Sequence, residues 1–478
     1  MMAQILGQLK PELLTFCAAI AVILADLIQV RGNRKWIGWF SAAAAVVILV
    51  VTANRWHDLV RPVPLWGGVM VLDRLGLIFK AIFLLAAAIT AAGSVDFASQ
   101  RFRHIGEYYG LLFFSVLGMM LMASAGDLLT LYLGLELATL SLYVLAAYSK
   151  ISPRSGEAGL KYLILGATAS AVYLYGASLV YGTVGTTLFS TIDSRVSLNG
   201  IGPGLAVGIL FVIASFAFKI AAVPFHMWAP DVYQGAPTPV TGFLSTASKA
   251  AGFAAIMRVL LGPMLDAASG WTVFVIALSG LSMIVGNLLA LAQRDIKRML
   301  AYSGVAQAGY ALVGIASASS LGALGTIFFL FQYLFTNLGA FLVATIVGLS
   351  TGDDQISSYN GLSRRNPGLA LAMLVLLLSL GGIPPLSGFW GKVFLFWAGV
   401  QSGLYGLVFI GVMASVLSLY YYLMVARAMY IEPAADRPTI RLQPSTMVAV
   451  VVCVLVVVGL TYPGPILNLA HEAAAAFF

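Results

Sequence analysis

Four ionisable residues stand inside apolar runs long enough to cross a bilayer: Glu136, Lys219, Lys249 and Lys392. A charge at the bilayer centre costs at least ~2.5–3.5 kcal/mol, so a residue kept there faces a wet cavity or a partner and is a functional candidate. Glu136 lies near the middle of GDLLTLYLGLELATLSLYVLAAY, where so short a side chain cannot reach the headgroups. Lys249 is deep in GFLSTASKAAGFAAIMRVL. Lys219 comes just before Pro224, and Lys392 follows GGIPPLSGFWGK. Proline removes a backbone donor and clashes with the preceding turn, so both of these runs are expected to break. Broken helices with freed carbonyls are typical of transporter sites. The chemistry that one acid and several lysines can do at depth is proton exchange. Desolvation narrows the gap between a buried lysine and a buried carboxylate, so that a proton passes at small cost. Coupling at ~4 Å is about 4 kcal/mol at an effective dielectric of 20.

Two further residues have alternative readings. Lys161, a few residues into its run, either snorkels or pairs at the surface, or takes part in proton transfer. His226, beside Pro224, is either a hydrogen-bonded hinge residue or a proton carrier, since an ordinary imidazole titrates near pH ~6.5. Lys80 and Arg258 lie nearer the ends of their runs and read as anchors, and Glu136 reads as the one acid well inside a span. Asp26 and Asp127 sit at span ends. Cys17 and Cys453 are far apart, no CxxC or His/Cys cluster occurs, and there are 4 His, so no metal or cofactor site is expected in this chain.

The elements that hold these residues follow from composition. Of 478 residues, 60% are hydrophobic and 9% are charged, where a soluble domain carries about 25% charge. Mean hydropathy is +0.96. This excludes a soluble enzyme or nucleic-acid binder; an all-α polytopic membrane protein is expected. A ruler of about 20 apolar residues places spans at 11–30, 36–53, 72–93, 107–125, 127–148, 158–182, 203–223, 238–262, 271–291, 297–317, 321–350, 367–400, 403–430 and 444–462, about fourteen. The last long stretch but two, 367–400, exceeds one straight span. With the loop after the first span on the cytoplasmic side, fifteen of the 26 basic residues fall there, among them Arg31, Arg34, Arg298 and Arg437; five fall opposite and six lie in or beside spans. That split predicts a multi-pass protein of the bacterial plasma membrane with both termini periplasmic. The net charge of +8 is thus assigned to orientation and not to nucleic acid. AAVPFHMWAPDVY and GGIPPLSGFWGKVF also resemble each other, as expected of inverted repeats.

The strings VPFHMWAPDVYQGAPTPVTGFLSTASKAAGF, DLLTLYLGLELATLSLYVL, QRDIKRMLAYSGVAQAGY and LLSLGGIPPLSGFWGKVFLF, spread over roughly 105–430, resemble the antiporter-like membrane subunits of proton-translocating NADH:quinone oxidoreductase (respiratory complex I). The VYQGAPTPVTGFLSTASK wording is similar to the subunit N branch. Subunit L carries a long C-terminal amphipathic helix, and subunit M usually a glutamate where Lys392 stands. Mrp-type cation/proton antiporter and membrane-bound hydrogenase subunits are the alternative relatives. The resemblance implies fourteen helices with two inverted five-helix repeats, each with a broken helix: 1–93 N-terminal helices, 105–262 and 271–430 the repeats, 444–462 a C-terminal helix. It implies proton transfer by Glu136, Lys161, Lys219, Lys249, Lys392 and His226. It implies that NADH, FMN, iron–sulfur clusters and quinone belong to partner subunits, with subunits M and K as neighbours.

Overall fold

The computed structural model describes residues 7–28, 34–59, 61–200, 202–434 and 439–478. Arg31, Arg437 and the last two residues of the first expected span lie outside the described residues. The helices are α1 (Lys10–Ile28), α2 (Lys35–Ala53), α3 (Arg74–Arg101), α4 (Ile105–Ser124), α5 (Leu128–Ala146), α6 (Pro153–Val184), α7 (Phe189–Asn199), α8 (Pro203–Lys219), α9 (Trp228–Gly235), α10 (Thr238–Leu260), α11 (Ala268–Leu291), α12 (Ile296–Ala316), α13 (Ser320–Thr351), α14 (Leu362–Arg365), α15 (Pro367–Gly381), α16 (Ser387–Gln401), α17 (Tyr405–Tyr430), α18 (Pro444–Gly459) and α19 (Gly464–Ala474). A small antiparallel hairpin, Val63–Leu65 with Met70–Leu72, joins α2 to α3.

Helix starts carry local signals. Asp73, Asp127, Asp295, Ser319 and Asn366 each accept a backbone N–H of the first turn of the helix they precede. That is the ordinary role of a short polar cap. Proline opens α6, α8, α15 and α18, where its missing N–H costs nothing.

Eleven helices among the described residues are long and apolar enough to cross a bilayer, or twelve if α18 and α19, bent by 84°, count as one span. The helices α8 and α15, at 17 and 15 residues, are shorter. The stretch expected at 367–400 is two helices of 15 residues each, α15 and α16, separated at 382–386. In the bundle α10 is buried along its whole length and α12 and α13 nearly so, whereas α1, α6 and α17 turn most of their surface outward. The centre of the molecule is therefore the set of helices that carries Lys249 and surrounds Lys392.

Lys80 and Arg258 are not anchors. Lys80 Nζ lies 2.6 Å from Glu12 Oε1, both buried. Arg258 grips Asp73 through both terminal nitrogens at 2.5 and 2.6 Å and also donates to the Ala123 carbonyl. Glu12, in the first turn of α1, is more deeply buried than Glu136, which stands in the middle of α5. An anchor reading needs headgroups within reach, and each of these cations has an acid on another helix instead.

Candidate functional site

Of the buried lysines, Lys219, Lys249 and Lys392 each stand at a discontinuity of the backbone. Lys219 is the last residue of α8; the chain then leaves the helical path, with Ala221 at φ 58°, before α9 begins at Trp228. Lys249 directly follows a π-helical turn, Leu244–Ser248, inside α10. Lys392 is in the first turns of α16 and reaches back across the second break to the Gly381 carbonyl at 3.0 Å, the last residue of α15. A helix C-terminus leaves carbonyls without intrahelical donors, and a cation is favoured there.

Their partners differ. The Lys219 ammonium is buried and has no hydrogen-bond partner. No acid lies within ion-pair distance of it among the described residues. The carbonyl freed at this break goes to Trp228 instead, whose indole donates to Phe218 at 2.9 Å. Lys249 donates to the Gly304 carbonyl and lies 5.5 Å from the centre of the Tyr333 ring. Lys392 donates also to Ser415 Oγ at 2.8 Å and lies 4.7 Å from the Tyr310 ring centre. Two glycines make this room. A Cβ at Gly252, one turn beyond Lys249, would stand 3.2 Å from Lys219 Cγ. A Cβ at Gly304 would stand 3.1 Å from Lys249 Nζ. The first contact also places Lys219 beside the helix that carries Lys249.

Glu136 is half-buried and accepts a hydrogen bond from Ser170 of α6. Lys161, on the same helix, does not meet it. Its ammonium lies 2.7 Å from Asp231 and 2.8 Å from Glu157, and is well exposed. Asp231 in turn takes Arg298 at 2.7 Å, so Lys161 belongs to a charged cluster between α6, α9 and α12. His226 is buried in the first break with Nδ1 unpartnered, 6.4 Å from the Tyr302 ring centre.

Between Lys249 and Lys392 runs a polar connection not picked out from the sequence. Beside Gly304, Ser303 Oγ lies 2.5 Å from Tyr422 Oη. Gln307 Nε2 donates to Tyr422 Oη at 3.4 Å and to the Leu380 carbonyl at 3.1 Å, one residue from the carbonyl that holds Lys392. The signal was present: Ser303, Gln307 and Tyr310 recur at helical spacing in LAYSGVAQAGY, so one face of a membrane helix is polar. Tyr422, on α17, gave none, because a lone tyrosine in an apolar helix is usually packing.

Comparison with known proteins agrees with this architecture. The family described as NADH:quinone oxidoreductase/Mrp antiporter, transmembrane, matches residues 125–418. NADH-quinone oxidoreductase subunit N of Moorella thermoacetica is 45% identical over 474 residues, covering 98% of each chain. A chain of respiratory complex I from Thermus thermophilus is 33% identical, with TM-score 0.78 over 95% of this chain and 98% of that one. A chain of the Mrp complex from a Dietzia species has the same fold at TM-score 0.86, with 22% identity over 97% of both chains.

Proposed function

The chain belongs to the subunit N family of NADH-quinone oxidoreductase, and on that premise we propose how it works as a proton-translocating subunit of a complex I membrane arm. Protons move through Glu136, Lys219, Lys249 and Lys392. The observation that carries this reading is that three buried ammonium groups stand at three backbone breaks with no acid within ion-pair distance among the described residues. A buried charge without a counter-charge is costly to keep, so a lysine in that position exchanges its proton when its surroundings shift. Each break supplies something that can shift.

In this account Glu136 and Lys219 form the coupled pair, Lys249 takes the proton on, and Ser303, Gln307 and Tyr422 carry it towards Lys392. Lys161 and His226 serve the first half: Lys161 at the charged cluster with Asp231, and His226 at the break itself. The redox steps, with NADH, FMN, iron–sulfur clusters and quinone, belong to partner subunits, and this chain contributes the transmembrane work. Subunits M and K are its neighbours in the arm. The protein is multi-pass; counting the broken stretches 203–223 and 367–400 and the bent C-terminal pair as crossings gives fourteen spans. The repeats run over 105–262 and 271–430 with opposite topology. The membrane is the bacterial plasma membrane, with both termini on the periplasmic face.

The test is substitution of Glu136 or Lys219 by alanine in an assembled complex, measured by quinone reduction and proton pumping together. General acid–base groups typically contribute factors of about 10² or more, so a large loss of pumping is expected with assembly intact. Unchanged pumping in a fully assembled complex would exclude these residues from the path.

A further inference from the structure

At the end of the bundle away from the Asp231 cluster, two cavities join. One, of about 490 Å³, opens where α2 ends and α3 begins, and its mouth holds Trp56, His57, Arg74 and Glu472. The other, of about 640 Å³, runs down the outward side of the bundle between α2, α3 and α18 and is walled by apolar side chains such as Val46, Leu85 and Val452. Phe331 and Ile466 line both, so the two form one cleft. From Ala53 to Trp39 the α2 wall covers about 21 Å of helix. One leaflet of hydrocarbon is about 15 Å deep. The cleft is therefore deep enough for an acyl chain.

We infer that this cleft binds one phospholipid whose headgroup carries both a phosphate and a free ammonium, with an acyl chain lying along Val46, Leu85 and Val452. The mouth offers both signs in a fixed arrangement. Arg74 Nη1 pairs with Glu472 Oε2 at 2.9 Å, and the Trp56 indole donates to that same oxygen at 2.9 Å. Neither bond uses Oε1 of Glu472, which can accept the lipid ammonium. Arg74 Nε is buried without a hydrogen-bond partner, and the guanidinium stacks 5.6 Å from the Trp56 ring centre. Its remaining N–H groups suit a phosphate oxygen. Trp56 and Arg74 also sit at span ends, where tryptophan and basic residues meet headgroups. Because the acid neutralises the arginine, the mouth favours a zwitterionic headgroup over an anionic one. A helix of a neighbouring subunit, about 10 Å wide with its side chains, has no use for a paired arginine and glutamate at one end of the cleft.

The assembled complex, reconstituted with phosphatidylethanolamine bearing a photoactivatable acyl chain, tests this. Labelling is expected on the segments around Val46 and Val452. Ala43 lines the cleft with its side chain outward, so Ala43→Trp should fill it and abolish labelling while pumping persists. Arg74→Gln and Glu472→Gln should each lower labelling about tenfold, the loss of one charge-assisted hydrogen bond. Excess phosphatidylglycerol should not compete. Labelling that survives Ala43→Trp, or equal competition by phosphatidylglycerol, overturns the site. So does photo-leucine at position 43 that couples to another subunit instead of lipid.

Discussion

Arg258 and Asp73 show how few charges this chain keeps and how firmly each is held. Removing one partner of a buried ion pair leaves an uncompensated charge and costs about 3–5 kcal/mol, whereas replacing both with apolar groups is often near neutral. Arg258→Met should therefore lower the thermal unfolding midpoint of the purified protein sharply. The double change Arg258→Met with Asp73→Asn, which keeps an oxygen for the Gly76 N–H at the start of α3, should recover most of the loss. The Glu12–Lys80 pair should behave in the same way. Gly304→Val should act on function: a Cβ at position 304 would stand 3.1 Å from the Lys249 ammonium and 3.2 Å from Tyr333 Oη, so the side chain would enter the space of both. Pumping should then fall by about tenfold or more, as for loss of a proton-transfer group. Assembly, read by native gel, should stay normal. Lys219, Lys249 and Lys392 were legible in the sequence because depth in an apolar run is a one-dimensional property. The partners of Lys80 and Arg258 were not, because Glu12 and Asp73 are 68 and 185 residues away and only the fold makes them neighbours.

Elements decide where those charges can act. Two of the three breaks could be read from Pro224 and from Gly382–Pro385, since both residue types interrupt helices. The third, the π turn before Lys249, could not, because LSTAS contains no residue that forces it. Hydropathy likewise placed an expected span over each of the eleven long helices and over α8, whereas at 367–400 it gave one stretch where the structure has two short helices, α15 and α16. The α12 connection makes a prediction of its own. Gln307→Leu keeps volume but removes the link from Tyr422 to the Leu380 carbonyl. Pumping should slow several-fold while quinone binding in partner subunits is untouched, measured as an unchanged KM for quinone. At the loop after α13, burial raises the Asp354 carboxyl above its ordinary value of 3.8 against the attraction of Lys297. A raised folded value means that its ionisation costs stability as pH rises. Asp354→Asn should thus stabilise the protein at pH 8 relative to pH 4, with the difference vanishing below the ordinary carboxylate value, as read by thermal unfolding at both.

At the scale of the molecule, the polar features line up across the bundle. The proposed path would take in Glu136 on α5, Lys219 at the end of α8, Lys249 on the fully buried α10 and Lys392 at the second break. Composition alone gave the membrane character, and the resemblance over roughly 105–430 gave the family, which the 45% identity over nearly the whole chain bears out. The order Glu136, Lys219, Lys249, Lys392 was already an expectation from the sequence; only three-dimensional contacts add Ser303 and Tyr422 to the proposed path, since neither stands near either lysine in sequence.

The most direct test is the number of protons moved per NADH oxidised by the assembled complex in sealed vesicles, with Lys249→Ala compared with the parent and each checked for full assembly. A lower ratio, or turnover that collapses with pumping and is not restored by an uncoupler, is expected if the proton passes through the lysines. An unchanged ratio at unchanged turnover would contradict the path and leave the chain as a scaffold of the membrane arm.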